Sequence, residues 1–317
     1  MYVPRVFYTE TVFKSRERVE NIGLESYLEL KNEAATIEYF EEYALIFHGI
    51  IVQNIEENEL SLIALNDYIV LSPGYTSYCK WHTGPLDKRD DPLKRVYCRR
   101  YSYTRLGYCR EHDDSIRAIY DKCFSSSTLH GLTYCSELDS RFKNKLKYVV
   151  YLLDYGYGFK VGSTRKWRLI DRVGEQPHVI AAELVEYDSA VKTRELEIKI
   201  GLKEGFTERP HKRSIRDVLA RPPKLSYRKL VDAVNKLSKE YGIENEWRKV
   251  FRVIPYNNDI TDFIKAQNAQ LKDIVGKRLE IYGYWLGYLL LADTNSNRYF
   301  LVKSKELLHR DTIGLIK

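Results

Sequence analysis

The sequence predicts an α+β chain of several modules, with β-rich segments at both ends, a cysteine-rich stretch and a mixed strand–helix unit between them. Three observations lead there. Apolar runs of strand character gather before residue 72 and after residue 277, and every cysteine falls between residues 79 and 135. Over residues 144–205 strand-like and helix-like patterns alternate. The 317 residues suffice for two or three domains, and composition divides them at 1–72, 73–140, 141–222 and 223–317.

In the first segment, Ala44 to Val52, Leu60 to Leu65 and Tyr68 to Pro73 read as strands, separated by polar turns at Glu56 to Asn58 and at Asn66-Asp67. The cysteine-rich segment has little apolar periodicity beyond one short helix over Ser115 to Lys122. The central unit reads strand (from Tyr148), glycine turn (Asp154 to Gly158), strand (from Phe159), helix, strand (Val179 to Val185), helix (Ser189 to Lys203). Arg221-Pro-Pro-Lys224 is a break before an amphipathic helix, Tyr227 to Tyr241, with Leu230, Val231, Val234 and Leu237 on one face. The tail from Lys277 is again β-rich, turning at Asp293 to Asn297.

Charge is unevenly spread. The net value is +7, but residues 1–60 hold 12 Glu against 5 Lys and Arg, leaving +14 for the remainder. Residues 208–252 alone carry 13 Lys and Arg against 6 Asp and Glu. Such segregation suits a polyanion, and the expected partner is nucleic acid, DNA or RNA, free or in a ribosome. Lys212, Arg213 and Arg216 are the candidate phosphate track, and an acidic N-terminal module would cover the basic face. No apolar run approaches the ~20 residues that cross a bilayer. The start, Met1-Tyr-Val-Pro-Arg5, lacks the pattern of a secretory signal, so a cytoplasmic protein without membrane contact is expected.

Cys79-Lys-Trp-His82 and Cys109-Arg-Glu-His112 are two C-x₂-H knuckles with Cys98 between them. That spacing puts two donors on one tight turn, as a tetrahedral Zn²⁺ requires, and thiolate–imidazole donors select zinc over hard cations. Five candidates compete for four places in a structural zinc site: Cys79, His82, Cys98, Cys109 and His112. Cys123 and Cys135 are read as core cysteines. Arg99, Arg100, Arg105 and Arg110, interleaved with Tyr101 and Tyr103, would give the finger a surface for phosphates and bases.

The central unit resembles the GIY-YIG nuclease domain over about residues 144–205. Val149-Val-Tyr151 stands where that family has Gly-Ile-Tyr, and Lys160-Val-Gly162 stands at Tyr-Ile-Gly, so the second tyrosine is absent. Gly162-Ser-Thr164 matches the small polar turn into the helix, and Arg168 or Arg172 its helical arginine, with Arg168 preferred. Arg194-Glu-Leu-Glu-Ile-Lys199 matches the helix with the metal-binding glutamate, for which Glu195 is the choice and Glu197 the reserve. The resemblance implies an endonuclease in which Tyr151, Lys160, Arg168 and Glu195 act on a phosphodiester with Mg²⁺ or Mn²⁺. Gly162, Thr164, Arg165 and Arg172 would contact the nucleic acid. Tyr151 would serve as base only with its pKa brought well below ~10.

A wider likeness takes in more of the chain. The cysteine-rich finger with Gly107-Tyr-Cys109, the Lys160 to Arg165 hairpin and Tyr284-Trp-Leu-Gly-Tyr-Leu-Leu290 resemble an uncharacterised, largely prokaryotic GIY-YIG-like family with an N-terminal zinc finger, whose members carry Lys at the second Tyr. Without cleavage, such a protein would be an RNA- or ribosome-associated binding factor.

Overall fold

The computed structural model describes residues 2–19, 39–125, 130–142, 145–208, 218, 221–243 and 249–316. Its strands are β1 (Tyr2–Arg18), β2 (Tyr39–Asn54), β3 (Glu59–Ala64), β4 (Tyr68–Leu71), β5 (Tyr148–Asp154), β6 (Phe159–Arg165), β7 (Ile180–Tyr187), β8 (Phe206–Thr207), β9 (Val250–Pro255), β10 (Gln267–Asn268), β11 (Arg278–Trp285), β12 (Tyr288–Asp293), β13 (Arg298–Lys303) and β14 (Ile313–Ile316). They form one mixed sheet in the order β10-β13-β12-β11-β4-β14-β1-β2-β9-β7-β5-β6-β8, with β3 added to β2. The main helices are α1 (Ile116–Ser125), α2 (His130–Phe142), α3 (Leu169–Gly174), α4 (Ala190–Gly201) and α5 (Pro223–Tyr241). The chain is thus of mixed α and β structure, and no described helix is long and apolar enough to cross a membrane.

The β-rich ends, expected as separate modules, share this sheet. Tyr2 pairs with Ile313, and Val70 pairs with Arg278. Each end presents an apolar face that three or four strands cannot cover alone, and the two faces close on one core. Phe7 of β1 stacks on Tyr284 of β11 at 4.6 Å. β9 then links this part to the central unit, parallel to β2 and antiparallel to β7. Acidic residues of β2 meet basic ones of β1 and near β9: Glu42 binds Lys14 of β1 and Arg252 of β9, and Glu41 lies 3.1 Å from Lys249.

β5 (Tyr-Val-Val-Tyr-Leu-Leu-Asp) is buried along its whole length, with antiparallel neighbours β6 and β7 on either side. Alternation sends Val149, Tyr151 and Leu153 into a core with Leu169 and Val173 of α3. Val150 and Leu152 enter the opposite core, with Leu196 and Ile200 of α4 and Leu230, Val234 and Leu237 of α5. α4 starts at Ser189, whose hydroxyl accepts from Lys192 N, and Asp139 of α2 accepts from Ala190 N at 2.6 Å. α5 starts with Pro223 and stops at Gly242, whose φ of +61° suits glycine.

α1 and α2 pack on Leu86, Tyr148 and Ala190, and a Cys123–Cys135 disulfide joins the two helices. This corrects the reading of these cysteines as simple core thiols. Packing brings the Cα atoms to 4.9 Å, close enough to bridge.

Candidate functional site

The finger holds its donors on short irregular segments tied by backbone bonds: Cys79 N to Arg100 O, Cys98 N to Trp81 O, and Lys80 N to Gly107 O. Gly107 makes the turn before the second knuckle at φ +88°. Cys79, Cys98, Cys109 and His112 come together with all ligand atoms within 4.8 Å of one another. Cys98 and Cys109 sulfurs are 3.9 Å apart, and His112 Nδ1 lies 3.8 Å from Cys79 Sγ and 3.3 Å from Cys109 Sγ. A tetrahedral ion with ~2.3 Å metal–sulfur bonds sets its donors roughly 3.5–3.8 Å apart, so this buried Cys₃His group could hold a metal such as zinc. Burial pushes the Cys79 thiol up to about 12, against backbone N–H groups of Cys109 and Trp81 that favour the thiolate. Trp81 stacks on the His112 ring at 4.0 Å and fixes its plane.

His82, the fifth candidate ligand, is not in the group. It faces a cavity instead, with Nδ1 accepting from Gly84 N at 3.0 Å. Four cysteine or histidine side chains already fill the tetrahedron, which explains its exclusion. Beside the metal group, Tyr101 and Tyr103 are 67% and 69% exposed, and Arg110 lies over the Tyr103 ring at 4.4 Å.

In the central unit, Tyr151 on β5 faces Gly162 on β6. Its hydroxyl accepts from Gln176 Nε2 at 2.8 Å, and the other end of Gln176 accepts from Lys160 Nζ. Arg168 and Arg172 flank Glu175, at 2.7 and 3.1 Å. Burial alone would raise Glu175; the two arginines hold it below its ordinary value. Both arginine side chains remain partly solvent-accessible, at 37% and 44%, while Tyr151 and Gln176 are buried. Of the two, Arg172 is the one whose charge acts on both Tyr151 and Lys160, while Arg168 lines the neighbouring cavity. Burial brings Lys160 down to about 8, and Arg172 adds to the effect. Burial pushes Tyr151 up, the reverse of what a tyrosinate base needs.

Of the two glutamates on α4 that the sequence offers, Glu197 faces β6 and Glu195 does not. Glu197 is buried and accepts from Ser163 Oγ, and Arg194 Nη1 lies 2.6 Å away. Helical geometry decides between them. Glu195 and Glu197 stand two residues apart, about 200° around the helix, and only Glu197 turns toward β6. Yet Ser163 lies on the face of β6 opposite Lys160, by the same alternation that puts Val161 in the α4–α5 core and Tyr151 in the α3 core. The strand therefore stands between Glu197 and Tyr151. Burial raises Glu197, with Arg194 opposing the rise.

The remaining expected contacts fall as follows. Gly162 and Thr164 are buried, the glycine against the Tyr151 ring. Arg165 is also buried, donating to Leu86 O. Lys212, Arg213 and Arg216 lie outside the described residues. Gln176, which ties Tyr151 to Lys160, and the role of Ser163 in holding Glu197 escaped the sequence reading, since neither residue type signals a site by itself. His178, near the helical arginines, is a structural histidine between Gln176 O and Val253 N. Comparison with protein families, with curated proteins and with solved structures yields no match to this chain.

Proposed function

We propose that this is a nucleic-acid-binding protein: a zinc-stabilised finger beside a GIY-YIG-like unit that grips the phosphodiester backbone without cleaving it, an RNA- or ribosome-associated factor. The observation that carries binding is the gathering of Lys160, Arg168 and Arg172 around Gln176 and Glu175, with both guanidinium groups partly solvent-accessible, next to a finger with exposed arginines and tyrosines. Guanidinium forks match phosphate oxygens in geometry, and exposed rings stack on bases of any sequence.

The donor set fits a catalytic Mg²⁺ or Mn²⁺ poorly. Such an ion needs an open carboxylate and room for waters, whereas Glu197 is buried and held by Arg194 and Ser163 across the strand from Tyr151. One observation supports the endonuclease reading: Arg172, the alternative to the preferred Arg168 in the resemblance, acts on both Tyr151 and Lys160, which Gln176 joins.

Binding and cleavage measured together decide. Labelled single-stranded, branched and duplex DNA and structured RNA are incubated with wild type, Tyr151→Phe and Glu197→Gln in Mg²⁺ or Mn²⁺. Salt-sensitive binding without cleavage is the expected result. Cleavage lost in both variants, with binding kept, would establish the endonuclease instead; absence of any binding would remove both readings.

A further inference from the structure

A cavity of about 660 Å³ lies where the finger, α1, β1 and the end of the hairpin meet. Most acidic residues on its wall are engaged. Asp90 takes two bonds from Arg95, at 2.8 and 2.6 Å; Asp171 holds Arg89, Asp121 holds Lys80, and Glu175 holds Arg168 at 2.7 Å. Three arginines facing the same space have no carboxylate partner among the described residues: Arg5, which is taken up by Gln53 Oε1 and the carbonyls of Cys79 and Cys98, and Arg117 and Arg165. Arg117 donates to Gly84 O and Arg165 to Leu86 O, and the Nε of each is buried without an acceptor.

Arg165 is built in. It is 3% exposed, and its guanidinium lies over the Tyr120 ring at 4.7 Å and the Trp167 ring at 4.9 Å. His82 adds a third donor: with Nδ1 accepting from Gly84 N, a neutral ring carries its proton on Nε2. The groups oppose one another. Burial lowers Arg117 to about 10, with Arg165 next among the causes, and burial followed by Arg117 keeps His82 neutral. Asp121 on the same wall acts on both arginines but is itself paired with Lys80; like charges buried together with too little counter-charge cost free energy, and an anion in the cavity would lower that cost.

We propose that this cavity binds a phosphate-class oxyanion between the free guanidinium edges of Arg117 and Arg165, with His82 as the neutral donor. The site stands whether or not the Tyr151 cluster binds nucleic acid, since none of these three residues belongs to it.

The test is titration of inorganic phosphate into the full-length, metal-loaded protein at constant ionic strength, followed by calorimetry and by thermal unfolding. Saturable binding is expected, weakened about tenfold or more by Arg117→Gln and by Arg165→Gln, the loss of one charge-assisted contact. Arg141→Gln, at an exposed pair with Glu137, should bind as wild type does. If Arg165→Gln does not fold, Arg117→Gln, which is not fully buried, carries the test with Arg117→Lys as its charge-preserving partner. Further arms with a nucleoside monophosphate, and with one oligonucleotide bearing or lacking a 5′-phosphate, separate a free anion from a strand end; phosphate-dependent binding in either supports the site. Equal response to phosphate and to chloride, or variants that bind as wild type, would overturn it.

Discussion

The ring of Tyr151 lies across Gly162 on the neighbouring strand, so close that a Cβ at residue 162 would sit 2.6 Å from both the ring Cζ and the hydroxyl oxygen. Gly162→Ala therefore forces the tyrosine off Gln176. Overpacking of this kind costs roughly 1–3 kcal/mol. A urea-unfolding midpoint equal to wild type would mean that the ring has room to move aside.

Lys160 should give opposite pH signatures in stability and in binding. Its folded pKa of about 8 lies below its ordinary value of 10.5, so the unfolded chain holds that proton more tightly. The residue's contribution to stability therefore rises as pH climbs from about 8 toward 10.5. Over the lower part of that window the Tyr151 cluster loses a cation, so nucleic-acid affinity should fall. Lys160→Arg, which stays charged, should flatten the affinity profile measured at fixed ionic strength; parallel profiles for both proteins would place the titration elsewhere.

Arg194 should matter more to stability than the carboxylate it holds. It is 1% exposed and pairs with both Glu197 and Glu208, at 2.6 and 2.9 Å. Arg194→Gln strands buried negative charge, at a cost of about 3–5 kcal/mol. Glu197→Gln keeps a hydrogen-bonding group of the same shape and should cost less. Chemical denaturation of the two variants ranks them, and the reverse order would mean that Glu197 is neutral in the native state.

Thiol counting checks the finger and the helix pair in one experiment. Under denaturing, metal-chelating and non-reducing conditions, Cys79, Cys98 and Cys109 should react, with Cys123 and Cys135 appearing only after reduction. Without chelator, the native protein should carry close to one tightly bound metal per chain. Cys109→Ser should lose it, while His82→Ala should retain it.

Much of this was legible along the chain because it is local. The knuckle spacing of Cys109 and His112, the buried run from Tyr148 and the apolar stripe of α5 depend on neighbours in sequence. All four residues of the Cys₃His group stand among the five candidates the sequence offers, but only the folded loops turn His82 away from it. The choice between Glu195 and Glu197 depends on which side of α4 meets β6, a tertiary fact. The pairing of Tyr2 with Ile313 was beyond reach for the same reason: a strand's partner is not written in its own alternation.

That pairing sets an order on how the molecule can be made. The finger and the hairpin close over short separations, whereas β1 waits for a neighbour more than 300 residues downstream. Contacts so distant form slowly, and emerging chains fold from the N-terminal side. During synthesis the central unit can take shape while the first strand still lacks its β14 partner, so the half-finished chain exposes a sticky edge that a nascent-chain chaperone would need to shield.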